Sequence, residues 1–266
     1  MTTTLYGAEV SYFTGKVRAY LRWAEIPFEE ILSTADVYRQ VIVPEVGAPV
    51  IPVLRDESGR ILQDSTVIIE TLEQTRSGGG PALHPTTPLR KLVALMLEAY
   101  GDEWLVIPAM HYRWFYDREW AMAEFGAMNA PGESPENQLA IGQKLAVPFS
   151  KAATLLGASE DMVPAVEAAY ENLLAELDAH FAEHPALLGS QATLADFGLI
   201  GPLYAHLYRD PTAGKLMRER APNVTRWVEQ LHFEPAGLRT PLDDSDSIPE
   251  TLLPVLKRLA REQLPA

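Results

Sequence analysis

The chain has 266 residues, of which 47% are hydrophobic and 22% charged, and its formal net charge is -14. That length and balance suit one large or two ordinary globular domains with a real buried core, and they argue against a disordered or fibrous chain. The acidic excess repels phosphate backbones, no apolar run reaches the length of a membrane span, and there is no cysteine. The expected partners therefore include neither nucleic acid nor membrane, and disulfides, thiolate metal sites and a protein thiol nucleophile are excluded.

The start, Met1-Thr2-Thr3-Thr4, has no basic segment and no apolar leader-like run, so the expected location is cytoplasmic. On that reading the sequon Asn223-Val224-Thr225 goes unused.

In chain order, Leu5-Tyr6 opens a first strand and Gly7 follows it. Val17, Tyr20, Leu21 and Ala24 recur at i, i+3, i+4 and i+7, which marks one apolar helix face, with Arg18 and Arg22 on another. Pro27 closes that helix, and Phe28 to Leu32 reads as a second strand. A weaker helix is expected around 34–42. Val50-Ile51-Pro52-Val53-Leu54 and Arg60-Ile61-Leu62 flank the turn Asp56-Glu57-Ser58-Gly59 as a hairpin. A helix starts near Ser65, with Val67, Ile68, Ile69 and Leu72 apolar. The order is βαβ, a helix, then ββα.

Ser77-Gly78-Gly79-Gly80-Pro81 and the prolines at 85 and 88 break every pattern, which places a boundary between a domain at 1–78 and another at 88–266. Beyond it no segment reads as a strand. An aromatic-rich helical stretch covers 89–128, and further helices are expected at about 136–156, 160–183, 194–208 and 222–232. An acidic loop, Asp243-Asp244-Ser245-Asp246, leads to a last amphipathic helix near 250–263. Such a short helix is marginal alone, so docking on the body is expected, either as plain packing or as a lid over a site.

Two positions point to chemistry. Pro52 sits inside an apolar strand-like run, where a missing ladder N–H is disfavoured. A cis Ile51-Pro52 bond would turn the chain and aim the Ile51 backbone outward; a trans proline on an edge strand is the plainer alternative. Twelve residues later comes Asp64-Ser65, at a helix entry. These residues serve as an ordinary N-cap. They also combine helix N–H groups and a hydroxyl for a carboxylate with a negative charge for an ammonium, which suits the amino-acid end of a zwitterion.

Leu5-Tyr6-Gly7, the run Ser11 to Arg18, Val50 to Leu54 and Gln63-Asp64-Ser65-Thr66 together resemble the N-terminal domain of cytosolic glutathione transferases, of a serine-type, bacterial-like kind. Ala192-Thr193-Leu194-Ala195-Asp196-Phe197 resembles that family's buried capping box, with Thr193 capping the helix and Asp196 reaching back. The resemblance is strong over 4–76 and 185–232, and weaker over 100–160 and after 235. It implies an α/β thioredoxin-like N-terminal domain followed by an all-α domain. It also implies glutathione as co-substrate, held by Ile51, Pro52, Asp64 and Ser65, with no metal.

The function implied is a transferase that activates the glutathione thiol for attack on a small hydrophobic electrophile. The alternative is a non-catalytic glutathione-binding or fold-only regulatory protein. A homodimer is expected. Three hydroxyls stand near the thiol position: Ser11, matching the serine-type classes, Tyr6, matching the tyrosine-type role, and Tyr12. For the electrophile pocket the candidates with polar tips are Tyr12, His111, Tyr112 and Tyr204, with His206 beside them. His180-Phe181-Ala182-Glu183-His184 matches a zinc-peptidase pattern but lies at a helix end before Pro185, and is read as structural.

Overall fold

The computed structural model describes residues 2–76 and 80–264. Strand β1 (Thr3–Gly7) leads to α1 (Tyr12–Trp23) and β2 (Phe28–Leu32). The chain then runs through α2 (Ala35–Val37), a π-helical turn at Tyr38–Ile42 and α3 (Val43–Val46). It returns in β3 (Val53–Arg55), β4 (Ile61–Gln63) and α4 (Ser65–Thr75). The sheet order is β2-β1-β3-β4, with β1 parallel to β2 and antiparallel to β3, and β3 antiparallel to β4. This is the expected βα β–helix–ββα order of a thioredoxin-like domain.

Alternation along the strands divides the two faces. Leu5, Leu54 and Leu62 join Val17, Tyr20, Leu21, Ile68, Ile69 and Leu72 under α1 and α4. Tyr6 and Val53 face the other way, onto Ile42 and the 35–46 segment. In the hairpin turn Asp56 accepts from the backbone N–H groups of Ser58 and Arg60, at 2.9 and 3.0 Å, and Gly59 takes φ +89°, a conformation that suits glycine. The expected boundary run falls largely on residues 77–79, outside the described residues.

All further elements are helical: α5 (Pro88–Ala99), α6 (Val106–His111), α7 (Arg118–Asn129), α8 (Pro135–Leu155), α9 (Val163–Glu183), α10 (Leu194–Ala205), α11 (Pro211–Arg220), α12 (Pro222–Phe233) and α13 (Leu253–Glu262). The helical stretch expected over 89–128 divides into α5, α6 and α7, with π-helical turns at Tyr100–Trp104 and Tyr112–Tyr116. Helix α11 was not expected. It is short, its apolar face is only Ala213, Leu216 and Met217, and its start signal is only Asp210 followed by proline at the first helical position. None of the helices among the described residues is long and apolar enough to cross a membrane.

Helix α10 is buried along its whole length and is the hub of the fold. The capping box forms as expected: the Thr193 N–H donates to Asp196 at 2.9 Å, and the other Asp196 carboxylate oxygen accepts from the Leu187 N–H at 3.0 Å. Phe197 packs edge-on against Tyr20 and Trp23, at centroid distances of 5.6 and 5.4 Å, which joins the two domains. The π-helical turn at Tyr100–Trp104 crosses α10 through two glycines. A Cβ on Gly101 would lie 2.2 Å from the Gly198 carbonyl oxygen, and one on Gly198 would lie 2.4 Å from the Glu98 Cα. Helices α7 and α8 form a hairpin packed backbone to backbone: a Cβ on Gly126 would lie 1.8 Å from the Gln138 carbonyl oxygen, and one on Gly142 1.8 Å from that of Met122.

The acidic loop caps α5. Asp246 accepts from the N–H groups of Leu89 and Arg90 at 3.0 and 3.1 Å, and the buried Arg90 guanidinium is held by the carbonyls of Asp243 and Ser247. The tail helix α13 docks through Leu252, Val255 and Leu259, while Arg258 pairs with Glu176 on α9 and Glu262 accepts from Tyr100. These tail bonds all run to the helical domain. His180 has both ring nitrogens engaged, by Thr251 at 2.9 Å and the Ala186 carbonyl at 3.2 Å, and His184 stacks on its ring.

The glycine crossing has no room for a methyl group, and overpacking of this kind typically costs about 1–3 kcal/mol. Gly198→Ala is expected to destabilise the protein by about 2 kcal/mol, seen as a thermal midpoint about 5 °C lower. An unchanged midpoint would show that the crossing relaxes freely.

Candidate functional site

The strand register gathers the sequence-derived candidates at one edge of the sheet. Val53 is paired with both Tyr6 and Gln63. The end of β1, the start of β3 and the end of β4 therefore lie side by side. The residues just beyond them are the Ala8–Ser11 loop, Ile51-Pro52 and Asp64-Ser65. The Ile51-Pro52 peptide bond is cis.

Asp64 is the N-cap of α4, and its carboxylate accepts from the N–H groups of Thr66 and Val67 at 2.9 and 3.1 Å. Its φ of +77° with ψ of 128° lies in a region that costs a non-glycine residue on the order of 1–3 kcal/mol. Such outliers persist where the surroundings demand them, and they cluster at ligand sites. Ser65 follows as the first helical residue.

Ser11 is the N-cap of α1 and is partly exposed. Its Oγ accepts from the Thr14 N–H at 3.3 Å and from the Thr14 hydroxyl at 2.9 Å. The other two hydroxyls are placed differently. Tyr6 is buried on the opposite sheet face, with the Arg55 guanidinium over its ring at 5.8 Å. Tyr12 is buried and donates to the Gly101 carbonyl; burial, with Asp102 and Glu103 nearby, pushes its pKa well above the ordinary value.

The loop before Ser11 is fastened from the helical domain. Arg113, nearly inaccessible, donates to the Val10 carbonyl at 3.0 Å and the Ala205 carbonyl at 2.8 Å, and grips Asp210 with two bonds of 2.7 Å. Glu9 is held by Arg18 at 3.0 Å and by the Tyr204 hydroxyl. Behind α4, the fully buried Lys16 donates to Thr66, Glu98 and Asp102 at 3.3, 2.9 and 2.6 Å.

The candidates for the electrophile pocket have different surroundings. His111 and Tyr112 are turned inward rather than toward the sheet edge. His111 contacts Glu167 on α9 at 3.1 Å, and the Tyr112 ring packs on Tyr170. Tyr204 reaches the loop, but through Glu9 and with its ring buried, stacked on His232. Buried His206 lies edge-on to Tyr12. The face that does meet the loop carries Val106, Met110 and Trp114, which cluster with Ala8, Val10 and Ile51. Their i, i+4, i+8 spacing was visible in the sequence; which of the two faces would turn to the loop was not.

Comparison with known proteins agrees with this architecture. Residues 5–80 match the family model of the glutathione S-transferase N-terminal domain, and residues 160–230 match that of the C-terminal domain. Together these spans take in more than half of the chain. Among solved structures, the beta-etherase LigF from Sphingobium sp. strain SYK-6 is similar with a TM-score of 0.62 and 20% identity, covering 89% of this chain and 97% of that one. A glutathione S-transferase from Rhodospirillum rubrum F11 gives a TM-score of 0.54 at 17% identity, covering 94% and 97%. One from Methylobacterium radiotolerans, in complex with glutathione sulfonate, gives 0.52 at 19%, covering 94% and 100%. No curated protein matches by sequence. These two family-model matches, over a thioredoxin-like domain and a helical domain with the capping box, make the chain a member of the glutathione S-transferase superfamily.

Asp102 supplies a pH test. One carboxylate neutralises Lys16 and the second is surplus. Burial first, with Glu98 and Glu103 adding repulsion against the pull of Lys16, pushes Asp102 up to about 6. The unfolded carboxyl titrates near 3.8. Between those values the folded chain binds the extra proton, so stability falls as pH rises from about 4 to about 6. Buried Asp196, also pushed up to about 6, adds to the same window. Unfolding free energies from urea titrations should show a decline across it that is smaller by on the order of 2 kcal/mol in Asp102→Asn. Equal declines in the variant and the parent would place the titration elsewhere.

Proposed function

We propose that the protein is a glutathione-dependent transferase in which Ser11 holds the glutathione sulfur as a thiolate. The observation that carries this reading is the state of the Ser11 hydroxyl: it stands at the α1 N-terminus, partly exposed, already accepting from Thr14 and with its own proton free to donate. Donation to sulfur and the positive end of the helix dipole both favour the thiolate over a thiol of ordinary pKa near ~8.5. Tyr6 and Tyr12 lack this combination of exposure and free donor.

The ligand follows from the edge. The Ile51 backbone beside cis-Pro52 suits the amide of the cysteinyl residue, and Asp64-Ser65 suits the ammonium and carboxylate of the γ-glutamyl end. In the reaction the sulfur lone pair forms a bond to an electrophilic atom as that atom's leaving bond breaks, and Ser11 keeps its proton throughout. Val106, Met110 and Trp114 wall an apolar flank for the electrophile. The superfamily membership and the glutathione sulfonate held by the Methylobacterium relative are in accord with this ligand.

Calorimetry should show glutathione binding at micromolar to millimolar strength; no heat from folded protein at high glutathione rejects the ligand. Titrating thiolate absorbance against pH, Ser11→Ala should raise the bound thiol's pKa by about 1–2 units while affinity stays within a few-fold. Tyr6→Phe should do much less, and the reverse ranking transfers the role to Tyr6.

We also propose a homodimer. Leu89, Leu92 and Leu95 form an exposed stripe on α5, 42% to 55% accessible, with Val67 of α4 also exposed. Such apolar surface calls for a partner, and a two-fold pairing of like faces supplies one. Light scattering should give twice the chain mass, and Leu92→Glu should shift it toward one. A concentration-independent monomer in the parent protein rejects the dimer.

A further inference from the structure

We propose that Thr14 is a positioning residue that makes Ser11 an obligatory hydrogen-bond donor to the glutathione sulfur; this rests on the reading of Ser11 given above. Thr14 lies in the first turn of α1 and is fully buried. Its hydroxyl donates to Ser11 Oγ at 2.9 Å, and its backbone N–H points to the same oxygen at 3.3 Å.

A buried hydroxyl needs a partner, and Ser11 Oγ is the acceptor that the Thr14 proton finds. A serine oxygen has two lone pairs and one proton. With both lone pairs engaged by Thr14, Ser11 can act toward a further group only by donating. It cannot accept a hydrogen bond from a neutral thiol, so the bound form it favours is the thiolate. Accepting a bond from Thr14 also polarises the Ser11 O–H and strengthens its outward bond.

The seat of Thr14 is equally specific. A Cβ on Gly7 would lie 2.2 Å from Thr14 Cγ2 and 3.0 Å from its Oγ1. The end of β1 is therefore cut back to admit a β-branched side chain, whose methyl group packs there while its hydroxyl faces Ser11. The first strand, the threonine and the serine form one relay of contacts ending at the sulfur position.

Thr14→Val keeps the shape and the backbone N–H but removes the donor. It should raise the bound thiol's pKa by about half a unit. The acid limb of the kcat/KM profile should move up by the same amount, with KM for glutathione within two-fold of the parent. Thr14→Ser, which keeps the hydroxyl, should restore the parent profile. Because Thr14 acts through Ser11, Thr14→Val should add nothing further in a Ser11→Ala background.

If Thr14→Val binds glutathione with an unshifted thiol pKa while Ser11→Ala shifts it, Thr14 is packing alone and the proposal falls while the Ser11 reading stands. If neither variant shifts the thiol, or the parent does not bind glutathione, both fall together. Should Thr14→Val not fold, the serine variant decides: a thiol pKa raised as far as in Ser11→Ala overturns the proposal, and a parent-like value upholds it.

Discussion

The site depends on one buried ion pair. Arg113 and Asp210 lie 97 positions apart in sequence and meet in the interior with two 2.7 Å bonds. A buried charge is tolerated only when it is paired and its remaining donors are satisfied, and removing one partner strands the other at a cost of about 3–5 kcal/mol. Here the remaining donors go to the carbonyls of Val10 and Ala205. The loop that presents Ser11 is thus held by a side chain of the helical domain, and that side chain is held in turn by the entry to α11.

A second fastening lies behind α4. Lys16 and its two carboxylates, together with the Tyr12 bond to Gly101, tie α1 to the end of α5 where the backbone crosses α10. The close approach of Gly101 and Gly198 brings those carboxylates within reach. The sheet supplies the edge on which the candidate residues stand, but the positions of Ser11 and Ser65 are set jointly by both domains. Neither domain carries the complete geometry by itself.

Local rules made much of this legible. Short apolar runs and the turn at 56–59 announced the sheet, the apolar spacing from Val17 announced α1, and Thr193 with Asp196 announced the capped hub. Pro52 and Asp64-Ser65 stood out because each breaks or punctuates a pattern. What stayed hidden was long-range. Periodicity says which residues share a face of α6 but not which neighbour that face meets, so the polar tips of His111 and Tyr112 drew attention while Met110 and Trp114 touch the loop. The π-helical turns have no propensity signal, since the glycine crossing and the packing of Tyr112 on α9 are properties of the assembled chain. Helix α11 escaped because it is only ten residues long and its apolar face is just Ala213, Leu216 and Met217.

The α7–α8 hairpin lies between the two segments that match family models. Its helices meet main chain against main chain at Gly126 and Gly142, and Phe125 packs edge-on against Phe149 across the same interface at a centroid distance of 5.2 Å. A side chain at either glycine would therefore push the two helices apart. Since Trp114 and Phe125 of the loop-facing cluster also pack on Phe149 of α8, a displacement of that helix would be felt at the flank beside Ser11.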